Sequence, residues 1–275
     1  MSTESSPPGR IRVAISGVAG RMGRHVLEQV LMSSDLRLVG TLEGSRHPEL
    51  GSDAGAMAGR PTGVRLTDDV TTALAHANVL VDFSTPDATV NVLREAARMG
   101  VACVVGTTGL APEASAALDE AARAVPVVAA PNMSAGVLVL GHVLREALRL
   151  LGPGYDVEIV EAHHRQKADA PSGTALRLAE IAASARGASL EDVAQHGRVG
   201  NTGPRSEREI GLHAVRGGDI VGEHTVYLVG DGERLELVHR AHSRLVFAAG
   251  ALRAARWVVG RAPGKYGMAE VLGLA

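Results

Sequence analysis

The segment Val13-Ala-Ile-Ser-Gly-Val-Ala-Gly-Arg-Met-Gly-Arg24 places three glycines between an apolar run that begins at Ile11 and a helical pattern. Gly17 permits a tight turn after a strand, Gly20 lets backbone N–H groups approach a pyrophosphate, and Gly23 allows the helix to pack closely on the strand. Phosphates would then lie at a helix N-terminus, where free N–H groups and the helix dipole favour anions. The spacing is a variant of G-x-G-x-x-G, and in a chain with 33 glycines such a turn also arises by chance. The segment therefore favours a dinucleotide-binding turn without establishing one.

Outward from this turn, apolar strand-like runs alternate with helical patterns as far as about residue 130. The strand-like runs cover 11–16, 36–42, 79–83, 101–105 and 125–129, and clear helical patterns cover 88–99 and 112–124. This alternation is typical of a parallel sheet with helices on both faces. The sequence therefore predicts an α/β fold whose front part is a Rossmann-type cofactor domain.

Three strand ends in this part carry residues suited to a dinucleotide. Glu43 follows the second strand, 20 residues after Gly23, where a carboxylate can accept hydrogen bonds from ribose hydroxyls. The loops Phe83-Ser-Thr85-Pro86 and Gly106-Thr107-Thr108-Gly109 follow two further strands, and ligands of open α/β sheets bind beyond such ends. Two other interpretations stay open, namely that Glu43 is a solvated turn residue and that the hydroxyl side chains are helix caps.

After Asn132 the pattern changes to one of locally paired strands. Helical patterns cover 136–151 and 174–185, and strand-like runs cover 155–161, 211–215, 224–229 and 234–239. The last two runs are joined by Gly230-Asp-Gly232, which indicates a hairpin. A final helical pattern follows Ser243. The sequence thus predicts two lobes, the second with a mixed or antiparallel sheet.

The segment Glu161-Ala-His-His-Arg-Gln-Lys-Ala-Asp-Ala-Pro-Ser-Gly-Thr-Ala175 is the most informative stretch of the second lobe. Ser172 is a candidate N-cap, and the N–H groups of Gly173 and Thr174 would point at an anion such as a substrate carboxylate. His164 and Lys167 add charge to the same site. A histidine titrates near neutrality and suits proton delivery, and a lysine can both hold a carboxylate and donate a proton.

Two alternatives to a catalytic loop remain. The segment could be a polar surface loop beside a capped helix. A zinc site is the other alternative, because Glu161, His163 and His164 are metal-ligand types. Adjacent histidines on a strand point to opposite faces and no second cluster completes a tetrahedron nearby, so no metal is expected. The remaining histidines that bear on this choice are scattered and are interpreted as ordinary, namely His196, His213, His224, His239 and His242.

Composition excludes several other classes of protein. Hydrophobic residues make up 45% and aromatic residues 2%, and the net charge of −2 argues against nucleic-acid binding. Cys103 is the single cysteine, and its apolar surroundings indicate a buried, inert thiol in a reducing compartment. The first nine residues lack a signal-peptide pattern and are interpreted as a disordered tail. No apolar run reaches the roughly 20 residues of a membrane span, so we expect a soluble, cytoplasmic protein.

With these motifs in place, the chain resembles the 4-hydroxy-tetrahydrodipicolinate reductase family, also called dihydrodipicolinate reductases, from Ile11 to about Gly273. The resemblance rests on the glycine turn, on Gly106-Thr-Thr-Gly109, on the Glu161–Ala175 segment and on Gly218-Asp-Ile-Val-Gly-Glu-His224. Of these, the Glu161–Ala175 segment is the most specific.

The resemblance implies a cofactor domain formed by residues 1–133 and 244–275, with an inserted α+β substrate-binding and oligomerisation domain at 134–243. It implies a homotetramer built through the sheets of the inserted domains. It also implies reduction of 4-hydroxy-tetrahydrodipicolinate, a small dicarboxylate, to tetrahydrodipicolinate in lysine and diaminopimelate biosynthesis, with NADH or NADPH as hydride donor. Two alternatives stay open: a reductase of the same fold acting on another imine, and a nicotinamide-binding sensor without catalysis.

The resemblance also assigns roles to residues. His163 is the catalytic histidine and Lys167 the proton donor, while His164, Lys167, Gly173 and Thr174, beside Ser172, hold the substrate. The residues expected to hold the cofactor are Gly17, Val18, Ala19, Gly20, Arg21, Met22, Glu43, Gly106, Thr107, Thr108, Ala130, Pro131, Asn132 and Met133, to which the strand-end loop adds Phe83 and Thr85.

Two positions depart from the family pattern. Some members carry an arginine directly after the position of Glu43, where it contacts the 2′-phosphate of NADPH. Here that position is Gly44 and the nearest arginine is Arg46. We therefore expect NADH to be used at least as well as NADPH. The segment Pro131–Ser134 lacks the aromatic residue often found there, although Met133 can still cover a nicotinamide face.

Overall fold

The computed structural model describes residues 9–274, so the predicted disordered tail lies, up to residue 8, outside the described residues. The chain forms two compact units. The first runs to Met133 and resumes at Leu245, and the second covers Ser134–Arg244.

The first unit holds a parallel sheet with helices packed on it. Its elements up to Met133 are β1 (Ile11–Ser16), α1 (Arg21–Met32), β2 (Leu36–Leu42), a 3-10 helix (Ala54–Ala58), β3 (Leu66–Thr67), α2 (Val70–Leu74), β4 (Val79–Asp82), α3 (Pro86–Met99), β5 (Ala102–Val105), α4 (Pro112–Ala121) and β6 (Pro126–Ala129). The C-terminal residues add a seventh strand, β12 (Gly264–Tyr266).

Seven strands of this unit pair in the order β12-β6-β5-β4-β1-β2-β3, and each of these pairings is parallel. Every residue of β4 and β5 is buried, which explains why these strands appear in the sequence as continuous apolar runs. Local signals set the ends of α3, because Thr85 caps it, Pro86 begins it and Gly100 ends it with φ of 72°. The Rossmann-type prediction is confirmed.

The second unit combines helices with a mixed sheet. Its elements are α5 (Ala135–Leu151), β7 (Asp156–His163), α6 (Gly173–Ala185), α7 (Leu190–Val193), β8 (Ala194–His196), β9 (Ile210–Arg216), β10 (Gly222–Gly230) and β11 (Glu233–Ala241). The strand order is β11-β10-β7-β9-β8, with antiparallel pairing from β11 to β7 and parallel pairing from β7 to β8. This confirms the predicted mixed sheet.

The core of this unit lies between its helices and one face of the sheet. Alternate strand residues such as Ile159, Leu212 and Val226 are buried there with Leu144 of α5 and Leu178 of α6. Because side chains alternate along a strand, the residues between them lie on the opposite face. The helix-facing side of β7 therefore carries Val157, Ile159, Glu161 and His163.

The C-terminal residues return to the first sheet. Helix α8 (Leu245–Val258) packs on β4, β5 and β6, β12 pairs with β6, and α9 (Met268–Leu272) packs against α8. Helix α8 packs closely at Gly250, which has no side chain. A Cβ at this position would lie 1.8 Å from the carbonyl oxygen of Met133.

Candidate active site

The glycine turn lies at the carboxyl end of β1, where the strand order reverses between β1 and β4. Gly17 has φ of 71°, and a Cβ on it would lie 2.6 Å from the carbonyl oxygen of Phe83. A Cβ on Gly23 would lie 2.0 Å from the carbonyl oxygen of Gly17. Backbone conformation or close packing therefore requires glycine at both positions.

The start of α1 is open to an anion. Gly20 is the N-cap and makes no side-chain cap, and the first turn carries no acidic residue. The first N–H groups of a helix have no intrahelical acceptor, so these are available to a phosphate. Arg21 is exposed on the first turn, whereas Arg24 is tied to the turn through Nε, which donates to the Ala19 carbonyl at 3.0 Å.

Glu43 lies directly beside this turn. The backbone N–H of Ala19 donates to Oε2 of Glu43 at 3.0 Å, and the N–H of Gly44 donates to Oε1 at 3.3 Å. The strand pairing of β1 with β2 accounts for the contact, since Ser16 is paired with Leu42. A carboxylate at this point can accept hydrogen bonds from a ribose.

Asp82, which sequence reasoning did not select, organises the two further strand-end loops. Its carboxylate is fully buried and accepts hydrogen bonds from Ser84 Oγ and Thr89 Oγ1, each at 2.6 Å, and from Thr107 Oγ1 at 2.9 Å. The N–H of Ser84 also donates to Thr107 Oγ1 at 3.1 Å. The loops after β4 and β5 are thus held together by one buried acid.

The remaining predicted cofactor residues differ in accessibility. Thr108 and Pro131 are exposed, and Phe83 packs against Gly106, where a Cβ would lie 2.2 Å from its ring. Met133 is only 2% exposed. The position of Met133 in the core leaves its proposed contact with a nicotinamide without geometric support.

Taken together, this edge of the sheet fits a dinucleotide. It offers a turn that only glycine permits, an uncapped helix start and a carboxylate beside both. Val18 is buried under the turn and Met22 is half-buried on the first turn of α1.

In the second unit, β7 ends at His163, whose ring is held by a carboxylate. Nδ1 of His163 lies 2.5 Å from Oε2 of Glu161. Burial lowers the pKa of His163 below its ordinary value, and the positive charges of Lys167 and Arg216 act in the same direction, against the opposing effect of Glu161. The imidazole is therefore predominantly neutral at neutral pH.

The loop after His163 brings the predicted substrate-binding residues together. Nζ of Lys167 donates to both oxygens of Asp169, at 2.8 and 2.9 Å, and the Lys167 N–H donates to the His164 carbonyl at 3.1 Å. Nδ1 of His164 is buried and has no hydrogen-bond partner among residues 9–274. His164 and Lys167 can therefore each bind an anionic ligand. For Lys167, the ligand would replace the carboxylate of Asp169.

Ser172 is the N-cap of α6, as its sequence position predicts. Its Oγ accepts from the N–H of Ala175 at 3.2 Å, while its own N–H donates to Oε1 of Glu161 at 3.0 Å. Gly173 is exposed as the first helical residue, followed by half-buried Thr174. An anion at this helix start would face backbone N–H groups.

Sequence reasoning missed two residues of this site, because the sheet register alone brings them in. Arg216 ends β9, is paired with His163, and donates to both oxygens of Glu161. His224 of β10 is paired with Glu161 and is not an ordinary scattered histidine. Its Nε2 lies 3.2 Å from Ser172 Oγ and its ring centre 5.3 Å from that of His163.

Two classes of site considered from the sequence find no counterpart among the described residues. Within residues 9–274, no three His, Cys, Asp or Glu side chains are grouped so that they could hold a metal ion. Over the same range, the helices are too short or too polar to cross a bilayer.

The chain is similar to known proteins over nearly its whole length. The family model described as "Dihydrodipicolinate reductase, N-terminus" matches residues 11–133, and the one described as "Dihydrodipicolinate reductase, C-terminus" matches residues 136–272. The 4-hydroxy-tetrahydrodipicolinate reductase of Myxococcus xanthus is 54% identical over 268 residues, which cover 96% of this chain and 98% of that protein. That of Thiobacillus denitrificans is 53% identical over 264 residues, covering 96% and 99%.

A solved structure gives the same fold. The dipicolinate-bound dihydrodipicolinate reductase from Paenisporosarcina sp. TG-14 has a TM-score of 0.75 and 25% identity to this chain. The match covers 95% of this chain and 98% of that one.

Proposed function

This chain belongs to the dihydrodipicolinate reductase family, and we propose that it reduces 4-hydroxy-tetrahydrodipicolinate to tetrahydrodipicolinate by hydride transfer. It is an NAD(P)H-dependent oxidoreductase with a Rossmann fold. The observation that carries the substrate proposal is the loop after β7, which collects a histidine, a lysine and a helix start within twelve residues, from His163 to Thr174.

The first unit is proposed to hold the cofactor. The pyrophosphate is expected at the start of α1, where the turn from Gly17 to Gly20 approaches it closely. Glu43 accepts from the adenosine ribose in place of the Ala19 N–H that it now holds. When bound, the reduced nicotinamide supplies the hydride. The loops tied by Asp82 form the edge expected to face it.

The second unit is proposed to hold the substrate. Two carboxylates require two anion-binding groups, and the loop provides Lys167 with His164 on one side and the N–H groups of Gly173 and Thr174 on the other. Ser172 contributes by capping the helix and so fixing the direction of those N–H groups. In this structure Lys167 donates to the carboxylate of Asp169. A substrate carboxylate would displace Asp169 or share the Lys167 ammonium group with it.

The proton is proposed to come from Lys167, with His163 beside it. Conversion of the 4-hydroxy substrate also releases its hydroxyl group as water, and hydride addition to a carbon conjugated with C=N leaves negative charge that an acid must neutralise. Because burial lowers the pKa of His163, its imidazole is predominantly neutral at neutral pH, and Lys167 is therefore proposed as the acid. His163 is then the catalytic histidine, which orients the proton that Lys167 donates and exchanges it.

We further propose that the enzyme acts in lysine and diaminopimelate biosynthesis, in the cytoplasm and as a homotetramer. The single, fully buried Cys103 is compatible with a reducing compartment, since burial strongly raises the pKa of its thiol and keeps it unreactive. The exposed face of the second sheet is the surface proposed for assembly.

The deciding experiment is a coupled assay in which the preceding synthase supplies the substrate, run in parallel with NADH and NADPH. We expect oxidation of the reduced cofactor that depends on the synthase. Cofactor binding without turnover would identify a sensor instead. Turnover of other cyclic imines, with none of this substrate, would identify a reductase of different specificity.

A further inference from the structure

Glu161 is a fully buried carboxylate with four hydrogen-bond donors around it. Oε1 accepts from the Ser172 N–H at 3.0 Å and from Arg216 Nη2 at 2.7 Å. Oε2 accepts from Arg216 Nη1 at 2.8 Å and lies 2.5 Å from His163 Nδ1. Burial alone would raise the pKa of Glu161, but Arg216, His163 and Ser172 outweigh it and hold the pKa below its ordinary value. The carboxylate is therefore ionised at neutral pH.

An ionised carboxylate only accepts hydrogen bonds, which decides the tautomer of its neighbour. The short contact with Glu161 requires the proton of neutral His163 to be on Nδ1. Nε2 is then the nitrogen that gains and loses the second proton. The same negative charge stabilises the imidazolium once it forms.

The pair of Glu161 and Arg216 also fixes the loop that follows β7. Arg216 Nη2 donates to the carbonyl oxygen of Asp169 at 2.7 Å, while Glu161 accepts from the N–H of Ser172. Both ends of the segment 169–172 are thus bound to one ion pair, whose carboxylate is fully buried and whose arginine is 21% exposed. This segment leads directly into α6, whose first N–H groups are the proposed anion site.

We propose that Glu161 is the positioning residue of this site, which sets the titrating nitrogen of His163 and, with Arg216, holds the substrate-binding loop in place. The inference rests on the proposed catalytic role of His163. Glu161 is not a catalytic residue, because it acts through His163 and through the loop.

Charged and titratable groups approach His163 from each neighbouring element. Glu161 is on its own strand, Arg216 on β9, Lys167 in the following loop and His224 on β10. Since His224 is buried with a pKa of about 4, it is neutral at neutral pH. The net field at His163 is therefore set by one negative and two positive groups, and removing opposite charges must shift its pKa in opposite directions.

The test is a titration of His163 by NMR of the imidazole nitrogens in the full chain, with the signal assigned from a His163→Gln sample. Glu161→Gln should lower the pKa of His163 by about one unit or more, and Arg216→Gln should raise it. A one-unit fall reduces the protonated fraction at pH 7 about tenfold, and the acidic limb of the kcat/KM profile should move with it. Glu161→Asp keeps the charge and should restore most of the titration.

Glu158→Gln is the matched control. Glu158 lies on the same strand and is also paired with arginines, Arg198 and Arg205, but on the opposite face. It should leave the titration of His163 unchanged. An unshifted pKa of His163 in folded Glu161→Gln would overturn the proposal. If Arg216→Gln does not fold, equal shifts of the His163 pKa in Glu161→Gln and Glu161→Asp would also overturn it.

The experiments distinguish failure of the proposed reductase activity from failure of the positioning role of Glu161. Turnover of the synthase product together with an unmoved titration would reject the positioning role and retain the reductase. Shifts of opposite sign without any turnover would retain the positioning role and reject the proposed substrate.

Discussion

Lys167 is one of only two lysines in the chain, the other being Lys265, while arginine supplies the remaining positive side chains. Arginine stays protonated throughout the accessible pH range, so it does not serve as a proton donor, whereas a lysine can. Lys167 is mostly buried, with 20% of its side chain exposed, and lies next to His163 and Asp169. A lysine at position 167 can therefore donate a proton, which an arginine at the same position could not.

Lys167→Ala should reduce kcat by at least about 100-fold and raise the KM for substrate, because it would remove both the proposed acid and the proposed carboxylate contact. Steady-state kinetics with saturating cofactor measure both effects. Lys265→Ala is the matched control, since Lys265 pairs with Asp119 on the first unit at 2.8 Å and is half-exposed. Equal kinetics for the two variants would contradict the assigned role.

Gly44 should decide the choice between NADH and NADPH. It is exposed, a Cβ on it would meet no atom within 4 Å, and it follows Glu43, the carboxylate proposed to bind the ribose. Without an arginine here, the 2′-phosphate gains no ion pair and lies near a like charge, so kcat/KM for NADH should equal or exceed that for NADPH. Gly44→Arg should shift the ratio towards NADPH by roughly tenfold, the value of one charge-assisted hydrogen bond. A wild-type ratio of ten or more in favour of NADPH would show that other residues hold the phosphate.

At the residue scale, candidate site residues could be selected from the sequence where the signal is local. The glycine spacing and the run from His163 to Thr174 lie within short segments, so their chemistry is visible in the sequence. Arg216 and His224 are 53 and 61 residues from His163 and reach it only through the register of β9 and β10. Glu161 is visible in the sequence, but without Arg216 it resembles a metal ligand as much as a positioning carboxylate.

The turn between β1 and α1 should depend steeply on glycine at one position. Gly23→Ala forces a Cβ to 2.0 Å from the Gly17 carbonyl and 2.7 Å from Val18 Cα, so the helix must move off the strand. We expect a loss of about 3 kcal/mol or more in the free energy of unfolding, together with loss of NADH binding. Denaturant unfolding and fluorescence titration with NADH measure the two effects.

Gly154→Ala provides the control for this prediction. Gly154 is exposed, does not have positive φ, and a Cβ on it would meet no atom within 4 Å. Its change in unfolding free energy should stay within about 0.5 kcal/mol. Similar losses of unfolding free energy in Gly23→Ala and Gly154→Ala would contradict the prediction. They would mean that Gly23 is not required by the packing of α1 on the turn.

Strand β10 should make the protein sensitive to mild acid through His224, which is 3% exposed. Burial lowers the pKa of His224 to about 4. Between the ordinary value near 6.5 and about 4, the unfolded chain binds a proton that the folded chain does not, so stability falls as pH falls. From pH 7 to pH 5 this residue should account for a loss of about 2 kcal/mol. His224→Gln should remove that part of the pH dependence in urea unfolding, and parallel curves for the two proteins would refute the assignment.

Among elements, the long ones were predictable and the short ones were not. Helices α3, α5 and α6 and the strands of the hairpin from β10 to β11 carry enough periodic residues to be recognised, and their observed ends lie within a few positions of the predicted ones. Strands β3, β8 and β12 have two or three residues, and helices α2, α7 and α9 four or five. Such segments take their structure from neighbouring strands or helices and carry no period of their own.

At the scale of the whole chain, the return to the first sheet is the least local feature. The hydrophobic pattern after Ser243 predicts a helix but not the sheet on which it packs. Helix α8 is buried along Ala248, Ala251 and Ala255, and these small side chains allow close approach to β4, β5 and β6. Only the family resemblance indicated that these residues rejoin the cofactor domain, because it supplies the connectivity that composition cannot.

The second sheet has one face on which no helix of its own unit packs, within the described residues. Across this face run Val160 of β7, Thr225 of β10 and Val238 of β11, which are direct neighbours in the sheet register. Val215, Val229 and Val238 on the same side are 47%, 37% and 40% exposed. An exposed sheet face that carries several β-branched residues is a common site of self-association.

If this face forms the proposed homotetramer, the wild-type protein should have about four times the 28.4 kDa mass of one chain in light scattering coupled to gel filtration. Val238→Glu places a charge on this face, on the edge strand β11, where burial in an interface without a partner is costly, and should yield smaller species. Leu150→Glu is the control, because Leu150 is 71% exposed on α5, which packs on the other face of the sheet. A tetramer that persists in Val238→Glu would place the interface elsewhere, and a monomeric wild type would reject the assembly.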